Sequence, residues 1–154
     1  MRIGSGYDIH VLAPGRPLML GGVEIPSPKG EVAHSDGDVL IHALIDAILG
    51  AYARGDIGSH FPPSDERWKD ADSGRLLSIV LDECRPTIVN IDCTVFLEKP
   101  RLREYVDMIR ESLSHLLSLE AGRISVKAKT AEKCFGELGR GDAVVAAVTI
   151  LVED

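Results

Sequence analysis

The 154-residue chain has no apolar run approaching the roughly 18 residues that cross a bilayer, and no stretch gathers its basic side chains into a stripe. The first absence excludes a membrane-spanning helix. The second, with 17 Lys and Arg against 24 Asp and Glu and a net charge of −7, excludes a reader of nucleic-acid backbones. The N-terminus opens on Met1-Arg2-Ile3-Gly4 without the basic and then apolar signature of export, so a cytoplasmic protein is expected. Cysteine is scarce. Cys84, Cys93 and Cys134 form no C-x-x-C pair, and three thiols cannot all be bridged within one chain, so they read as reduced and mostly buried. Internal repeats and low-complexity tracts are missing too, and the length suits one domain over residues 1–154. What the chain has in plenty is apolar surface: hydrophobic residues make up 45% and mean hydropathy is +0.07. That is more than a small domain can cover with polar groups, and it predicts a buried interface between subunits.

The hydrophobic pattern divides the chain into strands and helices. Arg2 to Asp8 reads as short and extended, and Leu18–Leu20 and Val23–Ile25 flank Gly21-Gly22 as a hairpin. Asp38 caps a helix whose apolar stripe is Val39, Leu40, Ala43, Leu44, Ala47 and Ile48, closed by Gly50 and Gly55. Residues 54–72 read as one long loop, of the kind that often carries function. A second helix fits Ser73 to Cys84, with Pro86 beyond its end. Val89, Ile91, Cys93, Val95 and Leu97 alternate with polar residues as in a strand with one buried face. Leu102, Tyr105, Val106, Ile109, Leu113, Leu116 and Leu117 give a third helical stripe, and Ile124, Val126 and Ala128 another strand. Ala143 to Val152 is apolar except for Thr149, as in a strand covered on both faces. This order predicts an α+β domain with helices gathered on one face of a sheet. The other face then needs a cover, and a cyclic oligomer with sheets inward supplies it most simply.

Residues able to carry chemistry cluster in three places. Asp8 and His10 project from the same face of an extended strand and can share one ion, although a lone D-x-H triplet is more often an ordinary surface pair. His34-Ser35-Asp36-Gly37-Asp38, with His42, packs histidines and carboxylates around a helix start, where free N–H groups also suit a phosphate. Asp38, His42 and Asp46 follow one another at four-residue steps, so Asp46 either orients a ligand imidazole or lies on a solvated helix face. Asp8, His10 and His42 make a three-ligand set that leaves a fourth zinc position open, which points to catalysis; manganese and iron accept the same ligand types. Lys127 to Lys133 combines cations, a hydroxyl and a carboxylate fit for phosphates and a harder cation, or forms a charged surface loop. Arg140, between Gly139 and Gly141, suits a phosphate contact or a salt bridge equally.

Several of these strings occur together in one family. Arg2-Ile3-Gly4 leading into Asp8-Ile9-His10, Leu20-Gly21-Gly22-Val23, Ala33 to Asp38 with His42, Gly55-Asp56-Ile57-Gly58, Phe61-Pro62, Val126 to Thr130 with Glu132-Lys133, and Gly139-Arg140-Gly141 resemble the 2-C-methyl-D-erythritol 2,4-cyclodiphosphate synthases over nearly the whole chain. The resemblance implies a ferredoxin-like mixed sheet and a bacterial, cytoplasmic homotrimer with sheets around the three-fold axis and active sites between subunits. It implies conversion of 4-diphosphocytidyl-2-C-methyl-D-erythritol 2-phosphate to the cyclic diphosphate and CMP, in non-mevalonate isoprenoid biosynthesis. Carried over by position, Asp8, His10 and His42 look like zinc ligands, and Glu132 like the ligand of a second ion, magnesium or manganese. His34 and Ser35 resemble the contacts of the attacking phosphate, and Thr130 a hydroxyl that polarises the diphosphate. Asp56, Gly58, Phe61 and Asp65 fall in the loop that receives erythritol and ribose. Pro100, Arg101, Leu102, Ala128 and Thr130 resemble the cytidine pocket of the adjoining subunit, and Arg140 a phosphate contact near the axis. Four features depart from the family: Pro63 stands where Asp is common, Arg101 where Lys is common, Cys134 to Leu138 is one residue longer, and the aromatic expected just before Gly139-Arg140-Gly141 is absent. Two other readings fit the same residues, a zinc phosphohydrolase acting on a nucleotide diphosphate and a non-catalytic trimeric metal- and anion-binding module.

Overall fold

Strand β1 (Arg2–Pro14) runs for 13 residues, well beyond the extended stretch legible from Arg2 to Asp8. Polar Asp8 and His10 hide the alternation, because on this strand the inward positions are Gly4, Gly6, Asp8, His10 and Leu12. The computed structural model describes Met1–Glu153. After β1 come the hairpin β2 (Leu18–Leu20) and β3 (Val23–Ile25), turning at Gly21-Gly22 as its glycines predict, and the short β4 (Lys29–Glu31). Helix α1 (Val39–Ala51) follows, then α2 (Ile57–His60), a 3-10 turn at Glu66–Trp68, and α3 (Ser73–Cys84). The C-terminal half adds β5 (Thr87–Phe96), α4 (Val106–Leu117), a 3-10 turn at Ala121–Arg123, β6 (Ile124–Lys129), α5 (Glu137–Arg140) and β7 (Ala143–Glu153).

The main sheet has the order β4-β1-β7-β5-β6 and is mixed. Only β5 and β6 pair in parallel, joined by the α4 crossover that such a pair requires. Asp8 and His10 pair with Ala146 and Val144 of the central strand β7, so the two ligand-type side chains rest on the best-supported part of the sheet. A bulge between Ile88 and Asn90 moves Val89 off the inward face and puts Ile88 on it, which corrects the simple alternation read from Val89 onward. The third apolar stripe begins before its helix does: Leu102 and Tyr105 lie in a turn that leads into α4 at Val106.

Helix α1 is buried almost all round. Ile41, Ile45 and Leu49 lie outside the apolar stripe seen in the sequence, yet they are as enclosed as Leu40, Leu44 and Ile48. The helix is covered by β1 and β7 on one side and by α3 on the other, which is where a helix apolar on every face must sit. Its approach to β1 is set by small residues. A Cβ on Gly4 or Gly6 would overlap the carbonyl of Ala47 or Ala43, so this part of α1 rests directly on the strand backbone.

Within the chain, β7 is covered on one face only. Val144, Ala146, Val148, Ile150 and Val152 enter the core, whereas Val145, Ala147 and Leu151 are half-buried and Thr149 is exposed. On β1 that same outer face carries Ile3, Tyr7, Ile9 and Val11, between 59% and 71% exposed. No helix of the described chain is long and apolar enough to cross a membrane.

Candidate active site

The contact of α1 with β1 brings together three groups that are far apart in sequence. Asp8 Oδ2 lies 3.0 Å from His10 Nε2 and 3.1 Å from His42 Nδ1, and the two imidazoles meet edge to face. One ligand atom from each of Asp8, His10 and His42 falls within a common 4.8 Å, as a single ion requires. The far nitrogens are tied back. His10 Nδ1 is 2.6 Å from the carbonyl of Gly37, which can only accept, so Nδ1 donates and Nε2 faces Asp8, with a lone pair when the imidazole is neutral and an N–H when it is protonated. Lone pairs pointed at a carboxylate call for a cation or a proton between them, and this donor set fits a tetrahedral ion. Burial works against the charge of Asp8 and of His10. In both it is outweighed: hydrogen bonds and charges of His10 and His42 hold the Asp8 carboxyl well below its usual range, and those of Asp8, with the Gly37 carbonyl, raise the His10 imidazole.

A cavity of about 260 Å³ opens beside these ligands. His34, Ser35, Gly58 and Phe61 line it, as the motifs predict, together with Ile57, Pro63, Trp68 and Leu76. Two buried nitrogens in its wall, His34 Nε2 and Trp68 Nε1, have no hydrogen-bond partner among the described residues. Such groups are costly unless something binds them, and that makes His34 a contact awaiting an acceptor or a donor. Trp68 was missed from the sequence because it lies in the long loop over residues 54–72, where no periodic pattern marks which side chains turn inward; its ring stands edge-on to Phe61 at 4.9 Å.

Asp38 and Asp46 have structural partners that the four-residue spacing did not reveal. Asp38 is fully buried and accepts from the N–H groups of Gly21, Gly22, Leu40 and Ile41, fastening the hairpin to the start of α1. It therefore takes up the first helical N–H groups, and the expected phosphate at that helix start finds those donors occupied. Burial pushes its carboxyl up against those hydrogen bonds. Asp46 accepts from Ile57 N at 2.7 Å and anchors the loop behind the cavity, while His42 Nε2 has Ser35 and Ser73 as its partners. Asp56 caps α2 through Ser59, and Asp65 holds Arg67; neither lines the cavity. Hydrogen bonds to Ser59 and to Arg67 lower their carboxyls.

A second cavity of about 600 Å³ is lined by Leu97, Arg101, Leu102, Arg103, Val106, Ala128, Lys129, Thr130 and Glu132. The nucleotide-pocket candidates thus converge, apart from Pro100, which follows a cis peptide bond at its edge. The Thr130 hydroxyl donates to the Glu132 carboxylate. Arg101, Arg103 and Lys129 have no ion-pair partner among the described residues, whereas Lys127 is committed to Asp92 at 2.6 Å. In a chain of net charge −7, three free cations round one cavity are a strong draw for an anion. The two cavities share no lining residue. Arg140 lies apart from both, paired with Glu137 and Asp142 beside a third hollow.

The YgbB family matches residues 1–153 of the chain. The 2-C-methyl-D-erythritol 2,4-cyclodiphosphate synthase of Treponema denticola is 51% identical to it, over 99% of this chain and 96% of that protein. The enzyme of the same name from Geobacillus kaustophilus is 48% identical over 99% and 98%. Among solved structures, a 2C-methyl-D-erythritol-2,4-cyclodiphosphate synthase superposes with a TM-score of 0.90 at 41% identity, covering 99% of this chain and all of that one. A CDP-bound form superposes with a TM-score of 0.88 at the same identity and the same coverage. The chain is an enzyme, and it belongs to the 2-C-methyl-D-erythritol 2,4-cyclodiphosphate synthase family.

Proposed function

We propose that the enzyme closes 4-diphosphocytidyl-2-C-methyl-D-erythritol 2-phosphate into the 2,4-cyclodiphosphate and releases CMP, a metal-dependent phosphorus–oxygen lyase reaction. The observation that carries this reading is the convergence of Asp8, His10 and His42 beside a cavity that His34 and Ser35 line. An oxygen of the 2-phosphate attacks the β-phosphorus, the bond from that phosphorus to the bridging oxygen breaks, and CMP leaves with the electron pair. Both reacting groups are anions on a flexible chain, so the protein's task is to fold the substrate in line and neutralise charge.

His34 and Ser35 hold the attacking phosphate in the first cavity. Thr130 offers its hydroxyl to the diphosphate, while Arg101 and Lys129 balance charge around it. The apolar wall of Ile57, Phe61, Trp68 and Leu76 receives the methylerythritol and keeps water from the β-phosphorus, with Gly58 close to the sugar and Asp56 and Asp65 shaping the loop. Pro100, Arg101, Leu102 and Ala128 take the cytidine. Asp8, His10 and His42 would hold zinc and Glu132 magnesium or manganese, and these ions would supply the Lewis acidity that neutralises the phosphates.

The unit is a homotrimer of ferredoxin-like domains, each active site formed by the first cavity of one subunit and the second cavity of its neighbour. The uncovered face with Ile3, Tyr7, Ile9 and Val11 supports this, being the kind of surface an obligate interface buries. Arg140 then lies near the axis as a phosphate contact. The three free thiols accord with the bacterial cytoplasm.

Phosphorus NMR of the protein incubated with this substrate and magnesium, with and without a chelator, tests the reading. Chelator-sensitive formation of CMP and a cyclic diphosphate supports it. A linear hydrolysis product, or intact substrate, contradicts it.

A further inference from the structure

We propose that Asp36, acting through Ser73, is a positioning residue that sets which nitrogen of His42 is free to bind the ion. The proposal rests on the metal reading of Asp8, His10 and His42 and goes beyond it. His42 Nδ1 faces Asp8 at 3.1 Å, and its Nε2 lies 3.0 Å from Ser73 Oγ and 3.0 Å from Ser35 Oγ. Which nitrogen carries hydrogen therefore depends on what those two hydroxyls can do.

Ser73 has no choice. Asp36 Oδ1 takes its hydroxyl hydrogen, and Asp36 Oδ2 takes its backbone N–H at 3.0 Å. A carboxylate only accepts, so the Ser73 hydrogen is committed to Asp36, and toward His42 the Ser73 oxygen can act only as an acceptor. Nε2 is then the nitrogen that must donate, and Nδ1 is left with its lone pair beside Asp8 and His10. Ser35 is ambivalent: its oxygen accepts from Gly37 N at 3.2 Å, and its own hydrogen can turn either way. Against it stands Asp8, whose carboxylate would draw a hydrogen onto Nδ1 and so block the ligand atom. Ser73 is wholly enclosed, at 0% exposure, so no water relieves a mismatch there.

The sequence places the three members at a distance. Asp36 sits in the loop before α1, His42 on α1, and Ser73 opens α3 behind the Asp72 cap, and the packing of α1 against α3 brings them together. Asp36 N is held by the carbonyl of Ala71 at 3.0 Å, so the strand of chain that presents the acceptor is itself tied to the one that presents Ser73.

In Asp36→Asn the amide oxygen keeps the 3.0 Å contact with Ser73 N, and the NH2 group takes the place of Oδ1, giving up the 3.2 Å contact with Asp38 N. It offers an N–H to Ser73 Oγ, which releases the Ser73 hydrogen to donate to His42 Nε2. Two readouts are compared with the wild type: the Nδ1–H to Nε2–H ratio of the neutral His42 imidazole by nitrogen-15 NMR of the metal-free protein, and zinc affinity by competition with a chromophoric chelator. The expected result is a shift of His42 toward Nδ1–H together with a roughly 10- to 100-fold loss of zinc affinity, at an unchanged thermal midpoint of the metal-free protein. Ser73→Ala, which removes a single oxygen, moves both readouts the same way and serves if the Asn variant does not fold. Unchanged zinc affinity, or affinity lost while the tautomer ratio stays as in the wild type, overturns the proposal. Wild-type protein that binds no zinc contradicts the metal reading instead, and the tautomer ratio still judges the relay.

Discussion

Gly6 of β1 lies so close under Ala43 of α1 that a single added methyl group would occupy the position of the Ala43 carbonyl oxygen. One turn along the helix, Gly4 and Ala47 repeat the contact. His42 is the neighbour of Ala43, and Asp8 and His10 are the next inward positions after Gly6. The closeness of helix and strand is therefore what brings imidazole and carboxylate within 3.1 Å of each other.

Gly6→Ala forces α1 away from β1, because the atom it meets is backbone and cannot turn aside. The expected cost is about 1–3 kcal/mol of stability, the range for overpacking a filled core, together with weakened binding of a divalent ion. Denaturant titration and chelator competition measure the two. A variant with full stability and full metal affinity would show that the helix has room to spare.

Glu31 gives a pH dependence whose sign is opposite to that of an ordinary ion-paired carboxylate. It is wholly buried at the end of β4, Oε2 accepts from Met19 N at 2.8 Å, and Oε1 has no hydrogen-bond partner among the described residues. Burial, reinforced by the charge of Asp38, pushes its carboxyl up to about 8, against 4.5 for the free group. The folded chain keeps this proton until about pH 8, whereas the unfolded chain gives it up above 4.5, so folding is progressively disfavoured across that window and the effect levels off beyond it. The slope attributable to Glu31 is at most roughly 1.4 kcal/mol per pH unit. Glu31→Gln, uncharged at every pH, removes that slope and is the more stable protein at pH 8. Parallel stability curves for the two proteins between pH 5 and 8 would show that Glu31 ionises freely in the fold.

Lys129 lines the second cavity without an ion-pair partner among the described residues. Lys129→Ala raises KM by up to about fivefold, the ceiling for an exposed charge contact, and leaves kcat nearly unchanged. The difference shrinks as salt is added. Steady-state kinetics at two ionic strengths separates this from a general disturbance, which would lower kcat at both.

The elements whose sequence pattern is governed by one local rule were legible without coordinates. Asp38 as the cap of α1, Ser73 to Cys84 as a helix and the Gly21-Gly22 hairpin stand as read, and Asp8, His10 and His42 come together as a group that could hold an ion. Where two rules compete, the pattern misleads. The inward face of β1 is glycine and polar ligands, so β1 looked short, and a bulge that no side chain announces reversed Ile88 and Val89. Asp46 sits on the expected stripe, but a hydrogen bond to Ile57, 11 residues on, decides what it does. The Asp36 and Ser73 contacts depend on how α3 packs against α1, a long-range relationship that spacing along the chain does not encode.

The proposed division of the site between two cavities of neighbouring subunits makes the sharpest demand on the molecule. His42→Ala removes the ion site in the first cavity, Glu132→Ala the carboxylate in the second, and each homogeneous variant is expected to be inactive as a folded oligomer. Co-expressed in equal amounts, the two chains assemble sites at random. About one site in four then joins an intact first cavity from one chain to an intact second cavity from its neighbour. The account predicts recovery of roughly a quarter of wild-type CMP release by the mixture, whereas a mixture as inactive as its parents would contradict a site shared between subunits.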